Sequence, residues 1–295
     1  MDGTANAYDR AAESLGNAVE LQHVNLRVPD QQAATAFYIS GLGLTRDPFL
    51  MTGTDNMWAN AGASQFHLPT GAPQVLRGEI GLVVPDRAQL LDRLTKVRVQ
   101  LEASRFSFSE QEHFVHTTCP WGNVIRCFEP NANLHGPITL GISYVAFDVP
   151  IGTGRQIARF YREIIGAPAD EELDFRPLIR VAPHQYLLFR ERERRDQAVP
   201  PFDGHHVQIT LADFGGPYAK LKERGLVSRE DSRWQYRFRD IVDLDTGSVL
   251  FTVEHEVRSM THPMFGRPLV NRNAAIDNRN YAPGHESWAW AMPPG

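Results

Sequence analysis

Cysteine is scarce: the 295-residue chain has two, Cys119 and Cys127. They lie eight residues apart on either side of "PWGN" and would meet across so tight a turn only in the right register. A reducing compartment disfavours the bond, so both are read as plain core or strand thiols, small hydrophobes in effect. Long apolar runs are missing too. None approaches the ~18 residues a spanning helix needs, and "MDGTANAYDRAAESLGNA" lacks the charged-then-apolar order of a secretory signal. Neither sign of charge dominates. The net charge is -5 with acids and bases interleaved, which leaves no basic stripe for a nucleic-acid backbone. The expectation is a cytoplasmic enzyme or binding protein with a small-molecule substrate and neither nucleic acid nor membrane as partner; homo-oligomerisation is left open. At 42% hydrophobic and 22% charged, the chain can afford two cores.

What is present is a repeat. "VELQHVNLRV" alternates with the period of a half-buried strand and leads into "DQQAATAFYISGLGL", a helix with Asp30 as N-cap and Gly41 as its stop. "NMWANAG" and "SQFHLPTG" follow as short strands. A second segment runs from "GEIGLVVPD" through "RAQLLDRLTKV" to a hairpin turning at "PWGN". "GISYVAFDV" and "ARFYREIIG" repeat the first segment; "HHVQITLADF", "GPYAKLKERGL" and "YRFRDIVDLDTGSVLFTVE" repeat the second. The offset is nearly constant: 121 residues from His23 to Tyr144, 127 from Glu79 to His206 and 125 from Gly122 to Gly247. The halves divide in the Asn-, Gly- and Pro-bearing "NANLHGPITL" at 131–140. The expected division is an N-terminal extension (1–18), modules over 19–135 and 140–257, and an irregular tail (258–295) docked in part by Phe265 and two late tryptophans.

Four such units, with "HVNLRVPD…FY…GLGL", "IGLVVPD", "HHVQITLAD…YAKLKERG", "WGNVIRCFEP" and "TGSVLFTVE", resemble the vicinal oxygen chelate superfamily. That group includes glyoxalase I, type I extradiol dioxygenases and antibiotic-resistance proteins. The resemblance covers about 19–257 and implies an α+β fold: four βαβββ units in two paired modules, each forming a curved-sheet cup. It implies metal ligands on the first strand of each unit and four residues after the late-hairpin glycine, with a further site residue six before that glycine. In the first half these positions are His23, Glu79, Arg126 and His116; in the second they are Tyr144, His206, Phe251 and Ile241. Extradiol dioxygenases keep their iron or manganese in the second half, where Tyr144, His206 and Phe251 cannot form a two-histidine, one-carboxylate set.

The expected site is therefore the N-terminal cup. His23, Glu79 and His116 are its candidate ligands for a divalent Fe2+, Mn2+ or Zn2+, leaving positions open for two neighbouring substrate oxygens and dioxygen. Arg126 stands against a simple metal site, because a guanidinium ligates nothing. It can pair with Glu79, clamp a substrate carboxylate or stabilise a developing oxyanion. Arg126 and His116 are the candidate catalytic groups, and Trp58, His67 and Arg126 the candidate substrate contacts. His113 is expected to be exposed, and His206 to point away from its neighbour His205. Glu254 and His255 are placed at the surface, "RERERRDQ" at 190–197 in a solvated connector, and "HPMFGRPLVNRN" in a lid or an edge cover. Two functions follow. One is a metal-dependent oxygenase or lyase acting on a small oxygenated substrate, anionic or aromatic; the other is a metal-free binding or sequestering protein of the same fold. Isomerisation of a thiol adduct would need a carboxylate at position 126 or a site shared between chains. With the first cup at work, His23→Ala should abolish metal retention while Tyr144→Phe leaves it nearly intact, as read by metal analysis of the purified variants.

Overall fold

The computed structural model describes residues 10, 14–50, 55–170, 177–192 and 200–271. The late tryptophans, and most of the expected 190–197 connector, lie outside these residues. In the first unit β1 (Ala18–Asn25) leads into α1 (Gln31–Ala34), where Asp30 Oδ1 accepts from the backbone N–H groups of Gln32 (2.7 Å) and Ala33 (3.1 Å). A π-helical turn carries the helix on to Gly41, and β2 (Thr45–Arg46), β3 (Asn56–Ala61) and β4 (Ser64–Pro69) complete the unit. The second unit is β5 (Gly78–Val83), α2 (Arg87–Leu101), β6 (Ser107–Glu110), β7 (Val115–Thr118) and β8 (Val124–Phe128). A single helical turn, α3 (Ala132–His135), sits in the linker. The third is β9 (Gly141–Val149), α4 (Gly154–Phe160) with a π turn to Ile165, β10 (Ala169–Asp170), β11 (Leu178–Ala182) and β12 (Gln185–Glu191). The fourth is β13 (His206–Leu211), α5 (Gly215–Glu223), β14 (Val227–Ser232), β15 (Gln235–Val242) and β16 (Val249–Ser259). Four βαβββ units are present as expected, and both cysteines are buried free thiols.

The partnership of the units is not the expected one. They form two eight-stranded curved sheets, but the first runs β14-β15-β16-β13-β1-β4-β3-β2 and the second β10-β11-β12-β9-β5-β8-β7-β6. Unit one thus pairs with unit four and unit two with unit three, so neither half of the sequence closes a cup by itself. Periodicity is blind to this choice, because homologous first strands present the same alternating faces to either partner. The seams are antiparallel: β1 with β13, and β5 with β9.

In the first sheet alternation sorts the side chains into two faces. Leu21, Val24, Phe66, Val207, Ile209, Phe238, Val253 and Val257 are buried in the core. Helical residues cover that side: Tyr38 packs on Phe66 (5.1 Å between centroids) and Phe160 on Phe238 (5.9 Å). One extra residue in β1 keeps Leu21 and Val24 on the core side, since they oppose Ile209 and Val207 across an irregularity in the register. The opposite face is polar yet also buried, and it includes His23, His206, Gln208 and Glu256. No described helix is long and apolar enough to cross a membrane. Because each sheet draws strands from both halves, fragments 1–136 and 137–295 expressed separately should show no cooperative unfolding transition by circular dichroism, and should regain one when mixed.

Candidate metal centre

The polar face of the first sheet brings together His23 from β1, His67 from β4, His206 from β13 and Glu256 from β16. One ring nitrogen from each histidine lies within 4.8 Å of those of the other two. Glu256 Oε2 is 3.4 Å from His206 Nε2, and its Oε1 is 4.0 Å from His23 Nε2. Trp58 on β3 stacks on His67 (3.7 Å between centroids, 13° between planes) and meets His23 edge-on at 4.9 Å. His67 Nε2 lies 2.8 Å from Asn56 Oδ1; protonated there, the ring donates to the amide oxygen and keeps the Nδ1 lone pair free.

His23, His67 and Glu256 are in the charge states that ligands need. Burial holds His23 neutral well below the usual histidine range, with Arg258 and the neighbouring histidines adding to the effect against the pull of Glu256. Burial likewise pushes His67 down to about 3. For Glu256 burial acts upward but is outweighed by the polar and charged groups around it, Arg258 among them, so the carboxyl stays ionised well below its ordinary value. Arg258 Nη2 lies 2.6 Å from Glu256 Oε1, and Arg237 bonds Oε2 while giving Nη1 to Glu254 at 2.8 Å.

The donor set fits a divalent cation. Both ring nitrogens of His23 and Nε2 of His206 are buried with no hydrogen-bond partner. Buried polar atoms are seldom left so. Three imidazoles and a carboxylate suit Zn2+ or Fe2+.

The predicted ligand set His23, Glu79, His116 is not assembled. His23 belongs to the first sheet, Glu79 and His116 to the second. There Glu79 accepts from Arg126 Nη2 (2.9 Å), Arg190 Nη1 (3.0 Å) and the Tyr144 hydroxyl (3.1 Å). Arg190 also grips Asp148 at 2.9 Å, and Arg126 lies over the Phe114 ring at 4.9 Å. Among the expected uses of Arg126, the ion pair with Glu79 is therefore formed; His116 sits across the ladder from Arg126. Gly81 makes room for Tyr144, whose ring lies 2.1 Å from where a Cβ would be. Register makes the two sheets equivalent. Glu256 stands two residues beyond the partner of His206, and Arg126 two beyond the partner of Glu79. His23 and Tyr144 likewise lie two residues before the partners of His206 and Glu79.

Of the predicted substrate contacts, Trp58 and His67 adjoin His23, whereas Arg126 does not share their sheet. Neither His206 nor Glu256 is in the ligand set expected from the sequence. The count of four residues from the hairpin glycine failed because β16 has eleven residues where β8 has five, which puts Glu256 nine after Gly247. Glu254 and His255 are not surface residues as expected: Glu254 is half-buried and His255 fully buried against Phe238 and the Tyr161 hydroxyl. The available signal was "TVEHEVRS", where Glu254, Glu256 and Arg258 alternate with Val253, His255 and Val257. His113 is exposed, as expected.

The described part of the tail, through Asn271, docks on the first sheet. Gln22 Nε2 donates to the Met264 carbonyl (3.2 Å), Arg258 Nη1 reaches the Met264 sulfur (3.5 Å), and Arg267 pairs with buried Asp47 (2.7 Å). The depressed histidines also couple stability to pH. His67 is neutral when folded but takes up a proton below about pH 6.5 when unfolded, so its contribution is complete above that value and lost on acidification toward 3. Unfolding free energy measured in urea should rise with pH between 4.5 and 6.5, and His67→Asn should flatten the slope by up to one proton, roughly 1.4 kcal/mol per pH unit; an unchanged slope would contradict the neutral buried ring.

No family model and no curated protein matches the sequence. Solved structures do. Glyoxalase I from Zea mays is 12% identical, over 81% of this chain and 92% of its own, with a TM-score of 0.54. A "putative dioxygenase" of Bacillus subtilis is 14% identical, over 86% and 92%, with a TM-score of 0.52. At such identities the likeness concerns the fold. With its four βαβββ units in two curved sheets, the chain has the fold of the vicinal oxygen chelate superfamily, as the sequence resemblance implied.

Proposed function

We propose that the protein is a divalent-metal-dependent enzyme, an oxygenase or lyase acting on a small oxygenated substrate in the first-sheet cup. The observation that carries this reading is the convergence of unpartnered, buried imidazole nitrogens of His23 and His206 on Glu256, with His67 alongside. His23, His206 and Glu256 would hold the ion, with His67 as a fourth ligand or a group beside it. The ion would supply a Lewis acid able to hold neighbouring substrate oxygens. Arg237 and Arg258 keep Glu256 ionised and fix its two oxygens. Trp58 fixes the His67 ring by stacking and meets His23 edge-on. The docked segment through Met264 and Arg267 shields the polar face from water, which strengthens every charge interaction beneath it.

A second reading, a metal-free binding protein, rests on the same arginines, since Arg237 and Arg258 already neutralise Glu256 without an ion. Metal analysis separates the two. The enzyme reading expects close to one equivalent of Fe, Mn or Zn after reconstitution, loss of at least ten-fold in affinity in His206→Ala and Glu256→Ala, and no loss in Glu79→Gln. Stoichiometry below about a tenth in the reconstituted wild type would favour the binding protein.

A further inference from the structure

His23 reaches the polar face by way of the bulge in β1. Between the pairs Leu21↔Ile209 and Val24↔Val207 the strand has two residues, Gln22 and His23, where β13 has only Gln208. Both are buried, Gln22 at 4% and His23 at 0% exposed. An extra residue of this kind re-aims a side chain, but the backbone groups that it takes out of the ladder need other partners. Gln208 Oε1 accepts from the Gln22 N–H at 3.2 Å. The ladder with β4 begins at His23↔Gln65, so Leu21 lies before its first pair.

A residue of the other sheet supplies the bonds that Leu21 lacks. Gln185 opens β12, and its side-chain amide reaches across to β1. Oε1 accepts from the Leu21 N–H at 3.2 Å. Nε2 lies 3.2 Å from the Leu21 carbonyl oxygen, 3.0 Å from Ser64 Oγ and 2.8 Å from the Ile142 carbonyl oxygen of β9. The turn that delivers this amide is constrained. His184, just before it, has a φ of 60°, a conformation that residues other than glycine seldom take. Gly136 of the linker approaches the His184 ring so closely that a Cβ there would lie 2.2 Å from Nδ1. Such a backbone persists where its surroundings dictate one placement.

We propose that Gln185 is a positioning residue for the metal centre: by bonding both backbone groups of Leu21, it holds the bulge that sets the His23 ring beside Glu256. The consequence for an ion rests on the metal-dependent reading; the orientation of His23 does not. The test is Gln185→Met in the full-length protein, which keeps the side chain's length and removes its amide. Without metal, long-range 1H–15N spectra should show the His23 ring signals displaced and those of His255, on the core side of β16, unmoved. Zn2+ affinity should fall roughly ten- to hundredfold, as it does when a ligand loses its supporting partner. Leu90→Ala on α2 is the control for instability: it empties a buried site outside both strands, and should lower the melting temperature while leaving Zn2+ affinity unchanged. Gln185→Glu keeps an acceptor for the Leu21 N–H but loses the donated bonds; it stands in if Gln185→Met does not fold, and should displace the same ring signals. A wild type that takes up no Zn2+ would remove the metal reading and leave the ring spectra to decide the role of Gln185. Unmoved His23 signals, Zn2+ affinity unchanged in Gln185→Met, or an equal loss of affinity in Leu90→Ala would each overturn the proposal.

Discussion

An ionised carboxylate held almost out of water organises the first sheet. Glu256 is 3% exposed, and burying such a charge unpaired costs several kcal/mol. Arg237 and Arg258 offset that cost, and each is held in turn. Arg237 is bonded by Asp231, and Arg258 by Gln22 at 2.6 Å and Gln235 at 3.0 Å. Gln22 then ties the network to the docked tail through the Met264 carbonyl. A polar face of this kind is tolerable only when nearly every group is satisfied, which gives meaning to the few that are not. The orphan atoms on His23 and His206 are such exceptions, and they face the carboxylate.

The second sheet shows what the same scaffold becomes when the ligand types change. Tyr144, Glu79 and Arg126 occupy the register positions of His23, His206 and Glu256, and the result is a salt-bridged cluster. Arg190 adds a second cation, its charge favoured by Glu79 and Asp148 despite burial. Glu79 faces a phenol and a guanidinium where Glu256 faces two imidazoles, so the second cluster lacks the nitrogen donors that the first brings together. The two sheets are therefore cups of equivalent register and different chemistry, and the difference is carried by individual side chains on a common ladder.

Much of this was legible in the sequence. Apolar alternation and the near-constant offset defined four units, the Asp30 cap and the "PWGN" turn, because strand and helix periods and capping are local matters. His23 was identifiable as a ligand type, and the opposite faces of His205 and His206 followed from strand parity alone. The long β15–β16 hairpin was harder to read, since counting from Gly247 assumes a strand length that only the ladder reveals.

The sequence by itself determined the kind of unit, how many there are, and which side chains could serve as ligands. Only the tertiary structure decided that unit one closes on unit four, and so that His23 meets His206 and Glu256 while Glu79 meets Arg126. The reason is physical. Equivalent first strands bury the same apolar face against either partner, so local pattern leaves the pairing degenerate. The long-range β1–β13 and β5–β9 seams remove that degeneracy, and with it they fix where the chemistry resides.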